Sequence, residues 1–328
     1  MKKISIFLLS AAMLLSVANV VGQEEIVWQN NLGGQYGYNF YHGVTDVADG
    51  LVAVGYSNVF GNGDWENVTG KGDYDAIIVK YDNAGNVTWK KNFGGNGADY
   101  YFSTAPVENG IIAVGYSYSL SFNNGDWEGI IGKGGIDAII VKYDNAGNII
   151  WKKNFGGSGT DYFYSVAPVE NGIIAVGSSD TFGNGDWEGV QGKGGMTDCI
   201  IVKFDLNGNV VWKKNFGGNG ITDVFRGVIT ISDGILVTGY SSSFNSGDWE
   251  GITGKGDSDG IIVKFDFDGN VIWKKNFGGN LNDYFYSIID ASNGIIAAGS
   301  AVITNNYDWT GRLIRMDARR CYHSKIRQ

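Results

Sequence analysis

Five times in this chain an aspartate stands directly before a tryptophan: Asp64-Trp65, Asp126-Trp127, Asp186-Trp187, Asp248-Trp249 and Asp308-Trp309. A second acidic set, Asp99, Asp161, Asp223 and Asp283, recurs in another loop, with Asn39 as its counterpart in the first segment. Aromatic side chains flank this set, as in Tyr162-Phe163-Tyr164. An indole plate beside carboxylate acceptors suits a sugar ring: apolar C–H faces stack while hydroxyls donate hydrogen bonds. These Asp and Trp residues are the candidate ligand contacts. The indoles have a competing use. Burying one Trp removes about 150–250 Å² from water, worth roughly 4–6 kcal/mol by area. That is reason enough for the Trp to staple its loop in place.

Other chemistry is sparse. The two cysteines, Cys199 and Cys321, give neither a disulfide framework nor metal spacing, and Cys199 reads as a small buried residue. Two histidines, His42 and His323, leave little room for imidazole catalysis or zinc. Gly132-Lys133-Gly134 and its copies are not followed by a helix and are no phosphate loop. Calcium is conceivable on loops rich in Asp and Asn, but no run of alternating ligands supports it, so no cofactor is expected. Asp75, Asp137, Asp198 and Asp259 each open an apolar run and are expected to satisfy backbone donors. Asp82 and Asp144 read as turn formers.

These residues recur because the chain repeats. Trp28, Trp89, Trp151, Trp212 and Trp273 open five related segments spaced by 61, 62, 61 and 61 residues. A period of this length with turn punctuation is the mark of a repeat architecture. In the second copy the pattern predicts four strands: Tyr101 to Val107, Ile111 to Ser117, Asp137 to Tyr143 and Ile149 to Phe155. Tight turns at Glu108-Asn109-Gly110 and Asp144-Asn145-Ala146-Gly147-Asn148 join the first and last pairs. No helical period is sustained, so the class is all-β. Ala138-Ile139-Ile140-Val141 is apolar on both faces and needs cover on both sides. A five-bladed β-propeller of four-stranded antiparallel blades meets that demand. A parallel β-helix would not fold back in hairpins.

The ends of the chain predict how such a ring closes. Glu25 to Asn31 matches a fourth strand, and Arg312 to Asp317 resembles a third strand whose fourth is missing. Pairing the two would complete the fifth blade and remove exposed edges. The resulting division is a leader over residues 1–23, a propeller over 24–317 and an atypical basic tail over 318–328. The leader reading rests on Lys2 and Lys3, the apolar stretch Ile4 to Val21 and the polar Gln23 that follows. It implies export, to the periplasm, cell surface or medium, with no membrane span after removal.

The unit NGIIAVGYS…DAIIVKYDNAGNIIWKKNFGG resembles the β-propeller repeats of secreted bacterial proteins known as SBBP-type repeats. The resemblance runs from about Trp28 to Asp317. It implies a propeller on an exported or surface protein with a binding role, and it supplies no catalytic residues.

Strand parity puts the long loops and the Gly-Gly loops on one face and only tight turns on the other. Function concentrates on loops held by a rigid scaffold. The expected activity is therefore multivalent, lectin-like recognition of surface or matrix glycans through the Asp-Trp loops, with avidity from repetition. The alternative is a protein-interaction or surface-structural propeller without a small ligand. A five-bladed glycosidase would need one blade with distinct acid and base residues. The visible asymmetries, Arg226, Cys199 and the tail, make no such set, so the chain reads as a non-enzyme. A net charge of −9, with basic residues concentrated at the two ends, leaves an acidic body that repels nucleic acid.

Overall fold

The computed structural model describes residues 28–291, 294–302 and 308, and the backbone of 320–326. Glu25 to Val27, Trp309 and Arg312 to Asp317 lie outside the described residues. The first sheet holds β1 (Asn39–Val47), β2 (Gly50–Ser57), β3 (Asp75–Asp82) and β4 (Val87–Phe93). The second holds β5 (Asp99–Val107), β6 (Gly110–Tyr118), β7 (Ile136–Tyr143) and β8 (Ile149–Phe155). The third holds β9 (Asp161–Val169), β10 (Gly172–Ser179), β11 (Asp198–Asp205) and β12 (Val210–Phe216). The fourth holds β13 (Asp223–Ile231), β14 (Gly234–Ser241), β15 (Asp259–Phe265) and β16 (Val271–Phe277). Each is a four-stranded antiparallel meander in chain order. The strands expected in the second copy match to within two residues at every end.

The fifth sheet has three described strands, β17 (Asp283–Ala291), β18 (Gly294–Ala301) and β19 (Arg320–Ile326). Its third strand is a correction to the expectation: Arg320–Ile326 pairs with β18, from Ile295↔Ile326 to Ala301↔Arg320. The place given to Arg312 to Asp317 is taken by a stretch assigned to the atypical tail. Backbone hydrogen bonding is indifferent to side-chain type, so the tail pairs without carrying the repeat's apolar pattern. Residues 28–31 do not form a strand.

Successive sheets stack face to face. The first strands of neighbouring sheets contact one another, β1 with β5, β5 with β9, β9 with β13 and β13 with β17. Five first strands line one central cavity of about 570 Å³, and the fourth strands lie outermost. This is the arrangement of a β-propeller-type repeat protein. Third strands are buried on both faces, as Ile77 with Ile78 and Ile139 with Ile140 show. One junction illustrates the packing: Val52, Val54 and Ile78 of the first sheet meet Ile111, Ala113, Ile139 and Val141 of the second.

The outer Trp of each of the first three WKK segments fastens one sheet to the next. Trp89 Nε1 donates to the Asn145 carbonyl at 3.0 Å, Trp151 to Leu206 at 3.1 Å and Trp212 to Phe267 at 3.2 Å. Each indole lies on the glycine of the next sheet's tight turn, so a Cβ on Gly147 would stand 2.9 Å from the Trp89 ring. Trp28 repeats this contact on Gly85 and stacks on Tyr81 at 5.8 Å. The N-terminal segment thus covers the first sheet as a preceding fourth strand would, although it is irregular.

Every first strand carries a β-bulge, and a glycine of the second strand makes it possible. The backbone crosses so closely that a Cβ on Gly177 would lie 1.7 Å from the Tyr162 carbonyl oxygen. Gly55, Gly115, Gly239 and Gly299 show the same approach at 1.7–1.8 Å. Gly177→Ala is expected to cost roughly 3 kcal/mol, because strand and bulge must separate. Gly129→Ala is the control: its φ is +78° with open space around the Cβ, and it should cost only about 1 kcal/mol of left-handed strain. Urea unfolding midpoints compare the two, and equal losses would contradict the close-approach account.

Candidate functional site

Four of the five Asp-Trp pairs each sit in a single turn of 3-10 helix: Gly63–Trp65, Gly125–Trp127, Gly185–Trp187 and Gly247–Trp249. The turn points its indole inward. Trp65, Trp127, Trp187 and Trp249 are fully buried, and Trp309 lies outside the described residues. Trp127 is wedged edge-on against Phe93 of the preceding sheet at 4.8 Å and against Phe122 of its own loop at 5.1 Å. Trp187 and Trp249 repeat the contact with Phe155 at 4.9 Å and Phe216 at 5.0 Å. As placed, these rings offer no plate to a sugar.

The aspartates before them are engaged in the same junction. The Asp126 backbone N–H donates to the Gly94 carbonyl at 2.8 Å, and the Gly94 N–H donates back to the Asp126 carboxylate at 2.9 Å. Asp64, Asp186, Asp248 and Asp308 make the same reciprocal pair with Gly33, Gly156, Gly217 and Gly278. The lysine of the preceding sheet's Gly-Lys-Gly loop then closes on the carboxylate. Lys71 meets Asp126 at 2.5 Å, Lys193 meets Asp248 at 3.2 Å, Lys255 meets Asp308 at 2.6 Å, and Lys133 pairs with Asp186. The conspicuous Gly-Lys-Gly loop is thus an inter-sheet fastener.

The second acidic set is buried beneath the indoles. Asp99 accepts from Trp127 Nε1 at 3.1 Å, from the Gly95 N–H at 2.9 Å and from Ser121 Oγ at 2.8 Å, with Ser117 also donating. Asp161 accepts from Trp187 Nε1 and the Gly157 N–H, both at 2.9 Å. Asp223 and Asp283 accept from Gly218 and Gly279 at 3.2 Å and 2.7 Å. Asn39 replaces the aspartate in the first sheet and accepts from Trp65 Nε1 at 3.2 Å. Burial pushes Asp99, Asp161 and Asp223 up to about 6, against the hydrogen bonds that favour their charged forms. Asp75 serves backbone donors as expected, accepting from the Lys71 and Gly72 N–H groups, and it also accepts from Asn92. Among the described residues, no three His, Cys, Asp or Glu side chains gather as metal ligands. No described helix is long and apolar enough to cross a membrane.

Sequence reasoning missed a different set. The extra residue of each first-strand bulge is His42, Phe102, Tyr164, Arg226 and Tyr286 in turn. Bulges re-aim side chains, and these five line the central cavity. Gly43, Ser103, Ser165, Gly227 and Ser287 follow them and keep the wall thin. Rings pack around the cavity in sequence: His42 on Phe102 at 4.5 Å, Phe102 on Tyr164 at 5.7 Å, and the Arg226 guanidinium over Tyr164 at 3.9 Å. The signal was available, because a glycine inside a strand pattern marks a bulge or close approach.

No family profile matches the chain, and no curated protein matches it. Solved structures with similar strand arrangements include BamB from Moraxella catarrhalis, 14% identical, covering 77% of this chain and 92% of that one at a TM-score of 0.25. The Pan2 WD40 domain of Neurospora crassa is 10% identical, with 78% and 85% covered at a TM-score of 0.34. The WD40 propeller domain of Doa1 is 13% identical, with 81% and 90% covered at 0.31. The fold assignment rests on the sheets themselves.

Two measurements test this reading of the loops. Trp127→Ala removes a fully buried indole and should cost about 3–5 kcal/mol in chemical denaturation; a loss under 1 kcal/mol would contradict the wedge. The second concerns pH. The folded state takes up protons on Asp99, Asp161 and Asp223 near pH 6, whereas the unfolded carboxyls wait until about 3.9. Between those values the folded state binds more protons, so acidification stabilises it. Below about 4 the trend reverses, because Asn86 and Asn148 hold the turn carboxylates Asp82 and Asp144 below the usual range. The melting temperature should peak near pH 4, and the rise on acidification should shrink in Asp99→Asn/Asp161→Asn. A melting temperature falling steadily from pH 7 to 4 would overturn it.

Proposed function

We propose that this chain is an exported binding propeller that docks a protein partner on its loop-bearing face. The observation that carries the reading is where the repeats depart from one another in length. The loop between Ser117 and Trp127 is two residues longer than its counterparts in the first, third and fourth copies. The loop between Lys193 and Asp198 and that between Gly218 and Asp223 are each one residue longer than in the second copy. All three lie on the same face, and each bears an apolar side chain held out to water: Leu120 is 73% exposed, Met196 71% and Ile221 67%. Apolar groups projecting from rigid polar surroundings fit a protein interface better than a sugar. The repeated Asp and Trp, which supplied the glycan reading, are engaged in holding sheets together. The acidic body favours a partner with basic groups at the rim of the contact.

The test compares the mature chain with Leu120→Ser/Met196→Ser/Ile221→Ser. Both are cross-linked to intact cell surfaces and probed on a glycan array. The triple variant should lose protein cross-links at least about ten-fold while its melting temperature stays unchanged. Strong glycan binding that survives the triple substitution, with no protein cross-link from either form, would overturn the proposal in favour of a lectin.

A further inference from the structure

The central cavity carries a second inference, independent of the docking face. The position occupied by His42, Phe102, Tyr164, Arg226 and Tyr286 holds four residue types in five copies of an otherwise similar repeat. Where a repeat serves only its own packing, one residue suffices at each position. A ring of dissimilar side chains at the axis gives the cavity one polar end in an aromatic wall.

Arg226 is the centre of that asymmetry. Among the described residues it is the one Lys or Arg lining the cavity, and no described Asp or Glu lines it. The guanidinium carbon lies over the Tyr164 ring, 3.9 Å from its centre, and 5.9 Å from that of the Tyr240 ring. Its Nε is buried without a hydrogen-bond partner. No described carboxylate forms an ion pair with it. The rest of the wall includes Phe102, Tyr286 and His42, whose imidazole burial pushes below its usual range and so toward the neutral form. An unpaired guanidinium held by stacking keeps its fork of donors for a planar oxyanion.

We propose that the axial cavity binds a monocarboxylate with a flat apolar body, its carboxylate on Arg226 and its ring against Phe102, Tyr164 and Tyr286. One guanidinium matches one carboxylate bidentately. A phosphate dianion would be left half neutralised in a protein of net charge −9. The cavity of about 570 Å³ falls in the range of small-molecule sites. The same chemistry is presented by a free arylcarboxylic acid and by the carboxyl end of a peptide finishing in an aromatic residue.

The experiment titrates the full chain with phenylacetate, its neutral amide, and a short peptide ending in Phe with a free or an amidated carboxyl terminus. Calorimetry and tyrosine fluorescence give the readout. At least one acid should bind about ten-fold more tightly than its amide, and Arg226→Gln should remove that preference. Preference for free phenylacetate identifies a small-molecule source, and preference for the acidic peptide identifies a chain end. Equal binding of acids and amides, no binding by any of the four, or an unchanged preference in Arg226→Gln would overturn the proposal. If that variant does not fold, the acid-against-amide comparison on the unaltered chain decides alone. The Leu120→Ser/Met196→Ser/Ile221→Ser chain should bind the acid normally, which separates this site from the docking face.

Discussion

A strand that is apolar on both faces needs a neighbour on each side, and the rest of this structure follows from how those junctions are sealed. The indole of the Gly-Asp-Trp turn is the seal. In the second and third sheets it leaves its own sheet, drops against the phenylalanine that ends the preceding sheet, and hands its N–H to Asp99 or Asp161 underneath. The aspartate beside it ties the same turn to the preceding Gly-Gly backbone and to a lysine of the preceding sheet. Apolar contact, charge-assisted hydrogen bonds and a partly buried ion pair converge on one spot, so the junction is set in distance and in rotation. A repeat of this kind gains most of its stability from its neighbours rather than from itself.

That arrangement explains why the most suggestive residues are not those left free to bind. Carboxylates beside aromatic rings recognise sugars because rings stack and carboxylates accept. The same two properties serve a protein interior: a ring fills volume and a carboxylate gathers backbone N–H groups. What separates the uses is whether the ring faces water. Here Trp127 and its copies face the neighbouring sheet, while Leu120, Met196 and Ile221, which show no recurring pattern, face solvent.

The axial wall depends on a smaller constraint. A glycine in each second strand lets the first strand pass within a distance that no Cβ would tolerate, and the strand answers with a bulge. The bulged residue then escapes the in-and-out alternation of the sheet. It packs on its neighbours around the cavity rather than in the seal between sheets, and it differs from copy to copy. Five such positions converge because the first strands do, and one of them holds Arg226.

The sequence by itself determined the class, the repeat, the four strands of each of the first four units and the face that carries long loops. Each rests on local physics: Asn-Gly turns, apolar runs of fixed length, and a period read directly from Trp spacing. It also determined that the Asp of each Asp-Ala-Ile-Ile run would serve backbone donors, since a short carboxylate at a strand start reaches little else. Tertiary structure decided the rest. Whether Trp127 is plate or wedge depends on how far apart consecutive sheets stand, which no single repeat encodes. The partner of Lys71 is an aspartate 55 residues away, and the pairing of β18 with Arg320–Ile326 joins stretches with no shared side-chain pattern. The convergence of His42, Phe102, Tyr164, Arg226 and Tyr286 arises only when all five sheets are assembled. Each residue is unremarkable in its own strand, and proximity across about 61 residues of chain is set by stacking, not by sequence.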